Sequence, residues 1–162
     1  MKAWSERPFE VRNLYNPAFC GLLLARAVAE YQKEQDRRMP YSLSFLVLPF
    51  VLHRASREIL AAKIRSRFLK VLGDAPELLI DFPARAVAMR PFTQEGFGLL
   101  MQKGCLDVSE DGRVSLRPNS VVRTVKGSDE AKQCQSVALY LGRHFARVDD
   151  RATLFASLGV RP

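Results

Sequence analysis

A chain of 162 residues suits one domain and is long enough to bury roughly 70% of its unfolded surface. A hydrophobic content of 48% excludes a disordered chain, and a net charge of +8 (25 basic, 17 acidic) suits nucleic acid, an acidic protein surface or an anionic membrane without naming a fold. Three scattered cysteines, only two histidines and no Cys-x-x-Cys argue against a disulfide framework or a structural zinc site and favour a reducing, cytoplasmic setting.

Residues 1–15 read as an N-terminal arm. Met1 to Val11 mixes Trp4, Glu6, Arg7, Pro8 and Glu10, which lacks the apolar centre of a secretory signal. Trp4 and Phe9 are candidates to dock the arm on the body or on a partner. The body, residues 16–162, reads as a single helical domain. Its first helix starts at Asn16-Pro17, where Asn caps and Pro fits the first helical position. Phe19, Leu22, Leu23, Ala27, Val28 and Tyr31 form its apolar face. Gln32 to Arg38 is polar, so the helix emerges into solvent there, and Pro40 closes the connection.

Tyr41 to Leu52 carries no charge. Spanning a membrane takes roughly 20 apolar residues, so the run is too short for lipid and belongs to the core. A helix is preferred, though a buried strand over Leu43 to Leu48 fits the same composition. Pro49 marks a kink or a helix start.

From Arg54 to Leu72 basic residues dominate. Leu60, Ile64, Phe68 and Val71 make a buried helical stripe. Lys63, Arg67 and Lys70 lie beside it at i, i+4, i+7, either as contacts to phosphate or an acidic surface or as an ordinary solvated face. Gly73-Asp74-Ala75-Pro76 ends the helix. Glu77 to Gln102 reads as two helices with a turn at Arg90-Pro91. Thr93 caps the second and Glu95 sits in its first turn. Gly104 has the place of a left-handed cap.

Cys105 to Val108 and Arg113 to Leu116 then flank Glu110-Asp111-Gly112, a hairpin signal. The expected fold is therefore mainly α with a small β-hairpin. It contains a winged-helix-like unit, with helices over about 63–103 and a wing over about 105–117. A winged helix suggests DNA, but the second helix lacks Arg and Asn for bidentate base contacts. Gln94, Gly98 and Gln102 are better suited to a protein partner. DNA contact is left to Arg113 and Arg117 on the wing and to Lys63, Arg67 and Lys70.

Pro118 to Gly127 is a loop carrying Arg123 and Lys126. Ser128 caps a helix over about 128–147, with Asp129 and Glu130 at its start and Arg143, His144 and Arg147 at its end, matching the macrodipole. Cys134, Ala138, Leu141, Phe145 and Val148 are spaced as a two-helix seam. A terminal helix over about 150–158 turns Leu154, Phe155 and Leu158 inward.

No phosphate loop, nucleophile elbow or paired histidine motif occurs, so no catalytic, cofactor or metal residue is assigned. Cys134 and His144 are separated by roughly 15 Å along one helix.

The chain resembles the middle component of bacterial three-component ABC systems. The resemblance rests on Asn16-Pro17-Ala18-Phe19-Cys20, Pro40-Tyr41, Phe45 to Pro49, Val51-Leu52-His53, Arg57-Glu58, Pro91-Phe92-Thr93 and the Asp111-Gly112 hairpin. It continues through Leu141-Gly142-Arg143, Phe145-Ala146 and Leu158 to Pro162. Relatives tend to carry Trp ahead of Phe145, where this chain has His144. The resemblance implies a nonenzymatic adaptor of a Lamassu-like antiphage system. It would bridge an SMC-like or Rad50-like ABC ATPase and a third or effector component, with double-stranded DNA as a further partner and no membrane. The alternative is a free-standing winged-helix transcriptional regulator.

Overall fold

The computed structural model describes residues 4–9, 12, 15–148 and 150–161. Helix α1 (Pro17–Gln35) is the axis of the molecule. Asn16 Oδ1 accepts from the Ala18 N–H at 2.8 Å, capping the start, and Asp36 ends the helix in the left-handed conformation. Residues 23–28 are buried without interruption, so α1 is enclosed all round rather than on one face. Its polar last turns do not enter solvent freely. Glu30 pairs with Arg143 at 3.0 Å and Glu34 with Arg147 at 2.6 Å. Gln35 Nε2 donates to the Ala146 carbonyl at 2.5 Å.

The uncharged run is buried as expected, but as two short helices, α2 (Tyr41–Ser44) and α3 (Val47–Val51). Pro49 is the third residue of α3, where its missing N–H has no intrahelical partner to lose. Helix α4 (Arg54–Ala62) follows, capped by His53 Nδ1. It ends before the predicted stripe is complete, and α5 (Phe68–Asp74) starts a new axis. Leu60, Phe68 and Val71 are buried, whereas Ile64, in the break between the helices, is 37% exposed.

A 3-10 turn (Pro76–Leu79) leads to α6 (Phe82–Gln102). The turn expected at Arg90-Pro91 is absent, and α6 runs unbroken through Pro91. Phe82, Ala86, Thr93, Gly96, Phe97 and Leu100 form one buried stripe in register across the proline. Packing of that stripe holds the helix where the local signal favoured a break. Thr93 is therefore buried mid-helix and Glu95 is not in a first turn.

Strands β2 (Leu106–Val108) and β3 (Arg113–Leu116) form the expected hairpin, with Gly112 at φ 73° in the turn. A third strand was not foreseen. β1 (Met39–Pro40) pairs antiparallel with β3, Met39 opposite Val114, so the sheet order is β1-β3-β2. Pro40 is tolerated because β1 is an edge strand. The order of helix, helix and hairpin is thus carried by α5, α6 and β2-β3, with α6 longer than expected and the hairpin tied back to the end of α1.

Helix α7 (Asp129–Arg147) has the Ser128 cap, and α8 (Arg151–Ser157) is capped by Asp150. The seam of α7 faces α1: Cys134, Ala138, Leu141 and Phe145 are all buried in the one core. An aromatic cluster joins the outer helices to that core. Phe50 stacks on Phe82 at 4.3 Å, and Phe68 meets Phe50 and Phe145 edge-on.

Glycines set the two main helix crossings. A Cβ on Gly142 would lie 2.1 Å from the Ala27 carbonyl oxygen, so α7 rests on the backbone of α1. A Cβ on Gly96 would lie 2.9 Å from the Gly21 nitrogen, so α6 does the same on the neighbouring turn. Gly96 thus permits a close backbone approach, and the backbone it meets is the protein's own.

Candidate interaction surface

The predicted basic stripe is not a single helical face. Lys63 is the C-cap of α4, Arg67 the N-cap of α5, and Lys70 lies on α5 itself. The break between the helices removes the i, i+4, i+7 register. None of the three has an acidic partner among the described residues. Arg67 lines a cleft of about 500 Å³ with Leu69 and Arg147, and its floor is Phe68 and His144. The wing arginines are committed elsewhere. Arg113 pairs with Asp111 at 3.1 Å and donates to the Arg38 carbonyl, and Arg117 holds Asp107 at 2.7 Å. The Arg117 hydrogen bond lowers the affinity of Asp107 for a proton, and at Asp111 the Ser109 hydroxyl does so first, with Arg113 adding to it.

Gln94, Gly98 and Gln102 do come together. They lie at i, i+4, i+8 on α6, all exposed, and a Cβ on Gly98 would meet nothing within 4 Å. Val87, 60% exposed, and Met101, 47% exposed, extend the same side of the helix. Val87 joins this face because the helix is not divided at Pro91, and Met101 because it stands beside Gln102 and is turned outward. The resulting face is long, carries an exposed apolar residue at each end, and has Arg90 at its margin.

At one edge of α6 the arm is anchored. Both Arg7 Nη atoms bond the Glu95 carboxylate, and the guanidinium lies 5.8 Å above the Phe92 ring centre. Phe9 is 66% exposed, so Arg7 rather than Phe9 docks the described part of the arm. The Trp4 side chain lies outside what the structure describes.

Buried polar groups tie the elements together. Arg57 donates to the Val51 carbonyl (3.0 Å), Gln133 (2.9 Å) and Glu130 (2.5 Å), joining the end of α3 to the start of α7. Arg85 reaches the carbonyls of Pro49 (3.0 Å), Ile80 (3.3 Å) and Leu78 (3.4 Å). Burial, reinforced by Arg85 and Arg57, lowers the His53 pKa. His144 Nδ1 accepts a long bond from the Phe68 N–H at 3.4 Å, satisfying a free donor at the start of α5, and its ring packs on Tyr140. Burial, followed by Arg147 and Arg143, holds His144 down at about 4, so it is neutral at pH 7.

Burial pushes the Cys20 thiol up to about 12 and raises that of Cys134, so neither is a thiolate nucleophile at neutral pH. Among the described residues no group of three His, Cys, Asp or Glu is placed to hold a metal ion. No described helix is long and apolar enough to cross a membrane.

The described residues thus form a small helical body with an added three-stranded sheet and an exposed face on α6. The chain belongs to the family described as ABC-three component (ABC-3C) system Middle Component 3, whose model matches residues 4–162. It is accordingly a component of an ABC-three component system, and the family's name implies the other components as partners. No curated protein and no solved structure matches the chain.

Proposed function

We propose that the chain is a non-catalytic adaptor that joins the ABC ATPase of its system, of the SMC or Rad50 type, to the third or effector component. The setting is a cytoplasmic antiphage system of the Lamassu kind. The observation that carries this reading is the exposed face of α6. Gln94, Gly98 and Gln102 share it with the exposed apolar residues Val87 and Met101, and exposed apolar side chains at both ends of a face of low charge suit it to being covered. DNA contact is secondary here and falls to Lys63, Arg67 and Lys70, since Arg113 and Arg117 are held by Asp111 and Asp107.

The test is co-expression with the neighbouring ATPase and third-component genes, followed by size-exclusion chromatography. The wild-type chain should co-elute with both. Gly98→Arg combined with Gln94→Arg adds bulk and charge to the face without touching the core, and should abolish association with one of them. A wild-type chain that elutes alone, or a double variant that assembles normally, would refute the adaptor reading.

A further inference from the structure

Arg26 is a buried cation without a counter-charge. It is only 8% exposed, on the enclosed part of α1, and burial lowers its proton affinity. Its Nε and Nη2 both donate to Gln135 Oε1 at 3.3 Å, which is a neutral acceptor at long range. No carboxylate among the described residues lies within ion-pair reach. A desolvated guanidinium held in this way costs stability unless an anion joins it.

The surroundings give that anion a place. Arg26 lines a cleft of about 270 Å³ between α1 and the segment after β3. Arg123 lies at the same cleft, exposed and without an acidic partner among the described residues, and Arg117 contributes a third guanidinium already matched by Asp107. Gln32 completes the polar side. Its Oε1 accepts from the Leu116 N–H at 2.8 Å, which leaves its amino group as a donor. The remaining lining is Asn119 and the apolar residues Ala29, Leu116, Pro118 and Val121.

We propose that this cleft is an anion site that receives a carboxylate side chain from an acidic, partly apolar segment of another component of the system. Recessed position and apolar walls favour a peptide over DNA. A duplex presents its phosphates on a stiff outer surface and engages exposed cations, whereas a Glu or Asp side chain can extend inward while its backbone packs on Leu116, Pro118 and Val121. The proposal deepens the adaptor reading and rests on it for the source of the segment, but not for the existence of the site.

The test uses the full chain and four probes. These are a fluorescein-labelled octapeptide of alternating Glu and Leu, its Gln-Leu counterpart, inorganic phosphate, and a 20-base-pair duplex. Binding is followed by anisotropy, and the Arg26 Nε–H resonance by NMR. The Glu-Leu peptide should bind and shift that resonance, and the Gln-Leu peptide should do neither. Arg123→Glu, at an exposed position, and Arg26→Met should each weaken binding at least tenfold, whereas Arg65→Glu, on the far linker between α4 and α5, should not. Arg26→Met should also leave the free chain with a Tm no lower than wild type, because it removes an uncompensated charge.

Failure of the Glu-Leu peptide to bind, or binding insensitive to Arg26 and Arg123, would overturn the site. Tighter, Arg26-dependent binding of the duplex, or displacement by phosphate at micromolar concentration, would overturn the occupant. If the ternary complex forms but survives Arg26→Met and Arg123→Glu together, the cleft inference fails and the adaptor reading stands. If no complex forms while the peptide result holds, the reverse is true.

Discussion

A single methyl group at position 142 tests the central packing claim. An ideal Cβ there lies 2.1 Å from the Ala27 oxygen and 2.8 Å from both the Ala27 carbonyl carbon and Cα. Carbon–oxygen contacts ordinarily begin near ~3.3 Å, so α1 and α7 must part by roughly 1 Å. A gap of that size forfeits about a quarter to a half of the dispersion energy along the opened contact. It also stretches the Glu30–Arg143 and Glu34–Arg147 pairs that straddle the seam. Overpacking costs about 1–3 kcal/mol, and a clash with backbone belongs at or above the upper end. Removing a helical glycine returns at most about 1 kcal/mol. Gly142→Ala should therefore destabilise by about 2 kcal/mol or more.

Two further glycines supply internal controls. At Gly96 the Cβ would meet the Gly21 nitrogen at 2.9 Å and the Leu24 Cδ1 at 3.1 Å, so Gly96→Ala should cost about 1 kcal/mol net. At Gly98 nothing is met, so Gly98→Ala should stabilise by about 0.5–1 kcal/mol through helix propensity alone. Urea unfolding at constant m should order the midpoints Gly98→Ala, wild type, Gly96→Ala, Gly142→Ala, from high to low. A Gly142→Ala midpoint at or above wild type would refute the backbone contact between α1 and α7.

His144 predicts a pH dependence. Its pKa is held at about 4 in the fold, against 6.5 for an ordinary histidine, so the unfolded chain binds the proton more readily. Its contribution is complete above pH 6.5 and is lost as pH falls towards 4, by about 3 kcal/mol. Chemical denaturation from pH 7 to 4 should show that loss in excess of His144→Gln, and parallel curves for the two proteins would sink the assignment. Arg57→Met leaves the buried Val51 carbonyl with only the weak Cys134 Sγ–H donor at 3.8 Å and should cost about 1–3 kcal/mol. The exposed Arg54→Met, which breaks only a pair with Glu58 one turn away, should give no measurable change. Cys20 and Cys134 should resist iodoacetamide at pH 8 until the protein is unfolded, as read by mass spectrometry.

Features governed by neighbouring residues were legible from the sequence. The Asn16 and Ser128 caps, the Asp111-Gly112 turn, the left-handed Gly104 and the burial of the Tyr41 to Leu52 run all depend on local chemistry. Features decided by distant partners were not. Pro91 reads as a break, and only the stripe from Phe82 to Leu100, packed on α1, overrules it. Met39-Pro40 reads as a connection, and becomes a strand because β3 arrives beside it. The basic stripe assumed a helix across residues 63–67 that tertiary packing does not form. Gln94, Gly98 and Gln102 share a face whether α6 starts at Phe82 or at Thr93, since their spacing is unchanged. Arg26 passed as an ordinary helical arginine because its burial comes from α7 and from the segment after β3.

The motifs behind the family resemblance acquire a physical reason once placed. Asn16 and His53 are caps, Arg57 is an internal tie, and the Tyr41 N–H donates to the Gly112 carbonyl, fastening the hairpin to the central run. Gly142 permits the contact with Ala27. These residues build a scaffold. The bridging proposed above requires two contact surfaces held at a fixed separation, and α1 packs against the elements that carry both. At Gly21 it supports α6, whose outer side carries the exposed face. At Ala27 it supports α7, and at Gln32 it binds the strand that leads into the Arg26 cleft. On the reading proposed above, the cleft and the face on α6 are both held by this one enclosed helix. Loosening α1 by Gly142→Ala should weaken assembly at both surfaces together, whereas Gly98→Arg and Arg123→Glu should each affect only one.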